Sequence, residues 1–286
     1  MRHHSITCTD PHGTHKMAYT EWGNYDNSKV LICVHGLTRT GRDFDRLAAT
    51  LAENYRVICP DIVGRGESDW LKEPDDYGYP VYVADILTLL KHLNISIVDW
   101  VGTSMGGLIG MFIASQANSP IRRFVINDVG AFIPKEALKR IAKYLILPPP
   151  HFLDLGEAEK YIRLRYAPFG NLTDSQWQHL AKNSVKSLPE GGYRLHYDPQ
   201  IGKPFKAASI SAKFKDIEFW QIWESISCPV LLLRGEESDL LLPKTIKQMQ
   251  RNKSQMQVIN FPKIGHAPAL MAQEQIEVIK NWLLTE

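Results

Sequence analysis

The sequence predicts a doubly wound, mostly parallel α/β sheet that carries an inserted helical segment. Short apolar runs rich in β-branched residues alternate with amphipathic segments, and this alternation stops near residue 132 and resumes near residue 227. Strands that alternate with helices pair in parallel through right-handed crossovers. The chain has 286 residues, of which 44% are hydrophobic and 22% charged, so it is long enough to bury a large core and has a globular composition.

The first part of the chain contains continuous apolar runs bounded by glycine, which are typical of fully buried strands. Helical periodicity fills the intervals between them. The predicted elements are a strand pair at 5–9 and 16–23, a strand at 29–36, a helix at 44–53, a strand at 55–64, a helix at 81–93, a strand and a helix that meet within 98–110, and a strand at 122–130.

The segment 132–226 breaks this rhythm because it is helical and aromatic and contains no strong buried strand. Helices are predicted at 135–147, 157–167, 173–188 and 216–226, and the alternation then resumes with a strand at 228–235, a helix at 243–252, a strand at 256–262 and a helix at 273–284. The pattern therefore predicts a core formed by 1–131 and 227–286 and a helical cap formed by 132–226.

Charge and composition exclude several classes of partner. The net charge of +2 and the lack of a Lys/Arg run argue against nucleic-acid binding. No continuous apolar stretch follows the basic N-terminus, so neither a signal peptide nor a membrane anchor is expected, and the predicted location is cytoplasmic. Nothing in the sequence decides between a monomer and a homodimer.

Cysteine and histidine usage gives no sign of a metal centre. The cysteines lack a short C-x-x-C spacing and are interpreted as buried free thiols, two of them, Cys33 and Cys59, inside apolar strand-like runs. Four histidines near the N-terminus could collect a metal ion but are interpreted as solvated. These two sets are Cys8, Cys33, Cys59 and Cys228, and His3, His4, His12 and His15.

The stretch VDWVGTSMGGLIG, residues 98–110, changes from strand-like to helix-like at Ser104. Gly102 and Gly106 flank this serine in a G-x-S-x-G pattern, which requires a strand before it and a helix after it. A serine that only caps the helix is the alternative. That alternative leaves both glycines unexplained, so Ser104 is predicted to be a nucleophile.

A serine nucleophile requires a histidine base and an acid that orients it. His266 is the best candidate base, because it follows a strand-like run and stands in a loop before the last helix, where it would reach the carboxyl edge of the sheet. Asp239, after the strand 228–235, is the preferred acid. Asp128 is the alternative acid, because it ends the strand that follows the nucleophile's strand.

Acyl transfer also needs backbone N–H groups that stabilise the developing oxyanion. The amide of Met105, directly after the nucleophile, is one candidate donor. The amide of Leu37, in the turn after the strand 29–36, is the other. His35 is expected to shape this turn rather than to act as a base.

The motifs HGLT, DIVGRGESD, GTSMGG, RGEESD and GHAP occur in this order, and with them the chain resembles the α/β-hydrolase superfamily over nearly its whole length. The resemblance implies Ser104 as nucleophile, His266 as base and Asp239 as acid, in the family's chain order. It also implies the amides of Leu37 and Met105 as the oxyanion hole, and 132–226 as the family's helical cap. Many members place the acid where this chain has Ser238, which keeps Asp128 as an alternative.

The resemblance and the serine nucleophile together imply a carboxylic ester hydrolase that acts on small to medium esters without a metal or organic cofactor. Two alternatives stay open: a hydrolase of C–C bonds in ring-cleavage products, which would need cations over the pocket, and a ligand-binding protein that keeps the hydrolase fold. The candidate cations are Arg39, Arg42 and Lys213. The predicted substrate-contacting residues of the cap are His196, Tyr197 and Trp220. The region is aromatic, and the segment 193–199, which holds His196 and Tyr197, combines turn residues with polar groups.

Overall fold

The computed structural model describes residues 1–211, 213–251, 253 and 255–285. Its centre is an eight-stranded sheet, whose strands are β1 (Arg2–Asp10), β2 (Gly13–Trp22), β3 (Val30–Val34), β4 (Arg56–Pro60), β5 (Val98–Thr103), β6 (Ile121–Asn127), β12 (Val230–Gly235) and β13 (Gln257–Phe261). The order of the strands across the sheet is β1-β2-β4-β3-β5-β6-β12-β13.

The sheet is mostly parallel, as predicted. From β4 through β13 every neighbouring pair is parallel, whereas β1 pairs with β2, and β2 with β4, in antiparallel register. The predicted strand pair at the N-terminus is therefore the antiparallel edge of the sheet. Parallel strands all end at one edge, so the loops after β3, β5, β6, β12 and β13 open on the same side of the sheet.

Helices cover both faces of the sheet, because the central strands carry apolar side chains on both faces. Strand β3 is an example. All five of its residues are buried, and successive side chains of a strand point to opposite faces. Leu31 packs into one apolar core, and Ile32 packs into the other. The flanking helices are α1 (Asp45–Leu51), α2 (Tyr79–His92), α3 (Met105–Ala114), α9 (Pro243–Arg251) and α10 (Gln273–Leu284); residue 252 of the predicted helix 243–252 lies outside the described residues.

Between β6 and β12 the chain forms a separate set of elements. Four of its helices match the predicted ones in position, whereas α7 was not predicted. The region also contains short strands of two or three residues, none of them a strong buried strand. The elements are β7 (Phe132–Ile133), α4 (Lys135–Leu145), β8 (His151–Phe152), α5 (Leu155–Arg165), α6 (Asp174–Ser184), β9 (Val185–Ser187), β10 (Tyr193–Leu195), α7 (Lys203–Ile210), β11 (Ile217–Glu218) and α8 (Trp220–Ser225). We refer to 132–226 as the cap segment; that it is a separate domain stays a prediction.

The short strands tie the cap segment together. Strands β8, β10 and β9 form a three-stranded antiparallel sheet, and β7 pairs with β11 near the two ends of the segment. Strands of two or three residues carry too little apolar periodicity to be recognised in the sequence. Across the described ranges, no helix combines the length and the apolar character that a membrane span would need.

Candidate active site

Ser104 occupies a strained turn between β5 and α3. Its φ of 53° lies in the left-handed region, which is unusual for a residue other than glycine. A side chain at Gly102 would collide with the carbonyl of Gly106, and one at Gly106 would collide with the carbonyl of Val34. The two glycines of the G-x-S-x-G pattern are therefore required by the close approach of backbone, and they lift the serine above the sheet edge.

The structure brings Ser104 and His266 together, as the sequence predicted. The His266 Nε2 atom lies 2.9 Å from the Ser104 Oγ atom, and the Nδ1 atom of the same ring lies 2.8 Å from the Oδ2 atom of Asp128. With the proton on Nδ1 donated to the Asp128 carboxylate, Nε2 is left to accept the serine hydroxyl proton. A chain of two hydrogen bonds thus joins the serine, the histidine and an aspartate.

Asp128 is held rigidly at the end of β6. It is 0% exposed, and its φ of 59° turns the backbone sharply after the strand. Its amide donates to the carbonyl of Leu233, and its Oδ1 atom accepts a 3.0 Å hydrogen bond from the amide of Gly235. Both carboxylate oxygens therefore have a partner, one from β12 and one from His266.

The preference for Asp239 as the partner of the histidine was wrong, and the alternative Asp128 occupies that position. The Asp239 side chain is 48% exposed and forms a two-point ion pair with Arg140 of α4. Its loop is turned by Ser238, whose hydroxyl accepts from the amides of Leu240 and Leu241. Asp239 thus follows β12 as predicted, but its carboxylate pairs with the cap segment instead of His266.

Of the two residues whose amides are predicted to form an oxyanion hole, Met105 directly follows Ser104 in the chain, and Leu37 lines the same cavity as Ser104. Met105 is the first residue of α3, where an amide has no acceptor within the helix. Leu37 follows β3, and its carbonyl accepts a 2.8 Å hydrogen bond from the Arg65 guanidinium, which also lies 3.6 Å from the Met105 sulfur. Arg65 is fully buried. It contacts both residues whose amides are the candidate donors.

His35 shapes the turn that contains Leu37, as expected. Its Nδ1 atom hydrogen-bonds the carbonyl of Gly36 at 2.7 Å, and its Nε2 atom accepts from the amide of Ile62 at 2.9 Å. Burial lowers the pKa of His35 to about 3, so the ring is neutral at physiological pH. Both ring nitrogens are used by the backbone, which leaves this histidine no role as a base.

Ser104 and His266 lie in the wall of a cavity of about 90 Å³ between the sheet edge and the cap segment. This volume is well below the roughly 300–1,000 Å³ of pockets for drug-sized ligands, so it suits a small group. Its apolar wall includes Leu37, Ile141, Tyr144, Phe169 and Ala269, and its polar and charged wall includes Thr38, Arg39, Arg140 and Arg165.

The structure does not place the three predicted substrate-contacting residues in this wall. His196 faces a groove near the N-terminal strands, and its Nε2 atom lies 3.4 Å from Glu67. Tyr197 is 9% exposed and its backbone forms a β-bridge with Arg65, and Trp220 packs against the apolar core. His196 and Tyr197 thus contact the loop after β4, and the composition of this region alone did not distinguish such contacts from substrate contacts.

Arg140 and Arg165 line the cavity from the cap segment, and neither was predicted from the sequence. Of the three cations considered for an anionic substrate, only Arg39 lies in the wall; Arg42 pairs with Asp45, and Lys213 is exposed. The available signal was the cluster of two arginines and two aromatic residues in RLRYAPF, residues 163–169. It did not show which of the two arginines lines the cavity.

Two groups of residues among the described ones have the spacing of metal ligands, and neither lines the Ser104 cavity. They are Cys8 with His15 and Asp85, and Asp10 with His12 and Asp76. His15 uses both ring nitrogens, at 2.9 Å from Asp10 and 2.9 Å from Asp85, to join β2 to β1 and α2. His15 is thus buried and paired instead of solvated, whereas His12 bonds Asp76 and stays exposed.

Comparison with known proteins gives consistent matches. A family model described as alpha/beta hydrolase fold matches residues 29–271. The chain is 43% identical to a 3-hydroxybutyrate-oligomer hydrolase of Cupriavidus necator, over 96% of this chain and 94% of that protein. It is 24% identical to a bifunctional esterase/perhydrolase of Acinetobacter calcoaceticus, over 93% of this chain and 94% of that protein. An alpha/beta hydrolase structure from Novosphingobium aromaticivorans matches with a TM-score of 0.85 and 31% identity, over 98% of each chain.

Proposed function

Because this chain belongs to the alpha/beta hydrolase fold family and is a hydrolase, we propose that it cleaves carboxylic esters with Ser104 as nucleophile, His266 as base and Asp128 as the orienting acid. The observation that carries the proposal is the chain of hydrogen bonds from the Ser104 hydroxyl through His266 to Asp128. A serine hydroxyl is a weak nucleophile at neutral pH and needs this kind of base beside it.

In the first half of the reaction, the Ser104 Oγ atom attacks the ester carbonyl carbon while its proton moves to Nε2 of His266. The resulting imidazolium is stabilised by the buried carboxylate of Asp128, which stays ionised. The tetrahedral intermediate then collapses, the bond to the alcohol oxygen breaks, and His266 returns its proton to that oxygen. An acyl group remains on Ser104, and the alcohol leaves.

The negative oxygen of the tetrahedral intermediate needs fixed donors, and the amides of Leu37 and Met105 are proposed to supply them. Preorganised donors of this kind are worth about 10²–10³ in kcat each. Arg65 contributes as a positioning residue, because it bonds the Leu37 carbonyl and contacts the Met105 side chain. In the second half, a water molecule gives a proton to His266 and attacks the acyl carbon; the bond between that carbon and the Ser104 Oγ atom then breaks, His266 returns the proton to Oγ, and the acid leaves.

The proposed substrates are short esters of hydroxy acids, such as oligomers of 3-hydroxybutyrate. The name of the Cupriavidus necator relative, at 43% identity over 96% of this chain, supports this choice. A cavity of about 90 Å³ also favours a short acyl group over a long fatty chain.

The test compares wild type with Ser104→Ala on p-nitrophenyl butyrate, p-nitrophenyl palmitate, the 3-hydroxybutyrate dimer and a ring-cleavage dienoate. We expect Ser104→Ala to reduce kcat on the short esters by about 10⁵–10⁶, with an unchanged circular dichroism spectrum. Retained ester turnover in Ser104→Ala would contradict the mechanism. Turnover of the dienoate without turnover of any ester would replace it with the C–C bond hydrolase.

A further inference from the structure

Three arginines line the Ser104 cavity, and two of them are neutralised by carboxylates. Arg39 makes a two-point pair with Asp43, at 2.8 and 2.6 Å, and its third nitrogen bonds the Ser184 hydroxyl. Arg140 is paired with Asp239 through both carboxylate oxygens. Neither guanidinium has its charge available for a ligand.

Arg165 is different, because no carboxylate pairs with it anywhere in the described ranges 1–211, 213–251, 253 and 255–285. Its contacts there are with aromatic rings: the guanidinium carbon lies 3.1 Å from the centre of the Tyr144 ring and 5.9 Å from that of Tyr166. Burial raises the pKa of Tyr144 to about 12, so this phenol adds no negative charge. The cavity therefore has one uncompensated positive charge on its cap side.

The stacking also fixes how this charge is presented. A guanidinium whose face lies on an aromatic ring keeps its N–H edge free, and that edge matches the two oxygens of a carboxylate. Arg165 is half-buried at the end of α5, where a carboxylate bond is screened less by solvent than on an open surface. The same wall also contains the Arg39–Asp43 pair, whose charges compensate each other, and apolar side chains that include Ile141 and Phe169.

The geometry points to Arg165 as a carboxylate subsite, so that the substrate class is an ester that carries a free carboxylate a few bonds from the cleaved carbonyl. This inference rests on the proposed ester hydrolysis at Ser104, which lies in the wall of the same cavity. It assigns the preference for an anionic ester to one residue of the cap segment. Neutral esters of the same length lack this contact.

The experiment uses a matched pair of substrates, the 3-hydroxybutyrate dimer and its primary amide, which differ only in the charge at the carboxyl end. Wild type should prefer the acid over the amide by about 10- to 100-fold in kcat/KM, the worth of a hydrogen-bonded charge pair. Arg165→Gln should bring this ratio to about 1, and Arg165→Lys should restore part of it. Arg163→Gln is the control, because Arg163 lies two residues away and pairs with Glu159 and Asp174 outside the cavity wall.

Binding supplies a readout that does not depend on turnover. Calorimetry on Ser104→Ala should show tighter binding of the acid than of the amide, and Ser104→Ala with Arg165→Gln should bind both equally. Equal binding of the two in Ser104→Ala, or an unchanged ratio in Arg165→Gln, would overturn the subsite while p-nitrophenyl butyrate hydrolysis still supported the proposed function. Loss of Ser104-dependent ester hydrolysis with a retained binding preference would overturn the function and leave the subsite.

Discussion

The loops after β6 and β12 each place an aspartate near the carboxyl edge of the sheet, and the two side chains have opposite environments. Asp128 is 0% exposed and bonds both His266 and the amide of Gly235, whereas Asp239 is 48% exposed and pairs with Arg140. A carboxylate that orients a histidine must be fixed and shielded from water, because only then does its charge act strongly on the imidazolium. The comparison shows that local enclosure, rather than chain order, distinguishes the two.

Among the tests of this comparison, the largest effect is expected when each of the two aspartates is replaced by asparagine in turn. Asp128→Asn should lower kcat on p-nitrophenyl butyrate by about 10⁴, because an amide in place of the carboxylate favours the wrong tautomer of His266. Asp239→Asn is the matched control and should change kcat by less than about tenfold. The reverse ranking in steady-state kinetics would return the acid role to Asp239.

A smaller effect is expected from Gly235, which connects β12 to Asp128. A side chain there would collide with the carbonyls of Ile264 and Gly265, directly before His266. Gly235→Ala should therefore cost about 1–3 kcal/mol in the free energy of unfolding and lower kcat by about 10²-fold through displacement of the histidine. Urea denaturation and kinetics on the same preparation measure both, and wild-type values for both would show that this contact does not position His266.

His35 extends the comparison to a buried group directly after β3. Its pKa is lowered from 6.5 to about 3, so the unfolded chain binds its proton at a pH where the folded chain does not. The unfolding free energy contributed by the neutral ring is fully present above pH 6.5 and falls as the pH decreases from 6.5 toward 3.

Between pH 8 and pH 5 this loss amounts to about 2 kcal/mol. His35→Gln removes the titrating group. Between pH 8 and pH 5, the unfolding free energy of the variant should therefore fall by about 2 kcal/mol less than the unfolding free energy of wild type. Chemical denaturation at pH 8 and pH 5 gives the two differences. Parallel pH dependences would mean that burial of His35 does not contribute to acid sensitivity.

The smallest effect is expected for the ion pair between Arg140 and Asp239, the aspartate that was preferred from the sequence. The side chains of Arg140 and Asp239 are 41% and 48% exposed, and exposed ion pairs contribute about 0.2–1 kcal/mol. A double-mutant cycle of Arg140→Gln and Asp239→Asn, read by thermal or urea unfolding, should give a coupling energy below about 1 kcal/mol. A coupling energy of about 3 kcal/mol or more would show that this ion pair contributes as strongly as a buried pair to the contact between the cap segment and the core.

The sequence by itself determined the alternating α/β sheet, the strained turn at Ser104 and the histidine that meets it. Apolar periodicity over five or more residues and glycines at sites without room for a Cβ are local signals, and they specify buried strands and a sharp strand-to-helix turn. His266 was also accessible, because the end of a parallel strand has a known position relative to its neighbours.

Only the tertiary structure showed that Asp128, and not Asp239, hydrogen-bonds His266. Only it placed His196, Tyr197 and Trp220 away from the cavity and Arg165 in its wall. Each of these outcomes depends on which side chain from a distant part of the chain arrives beside it: Arg140 neutralises Asp239, and Gly235 and His266 enclose Asp128. Charge pairing and burial are properties of neighbours in space, and residues a hundred positions apart leave no pattern in the sequence that identifies them as partners.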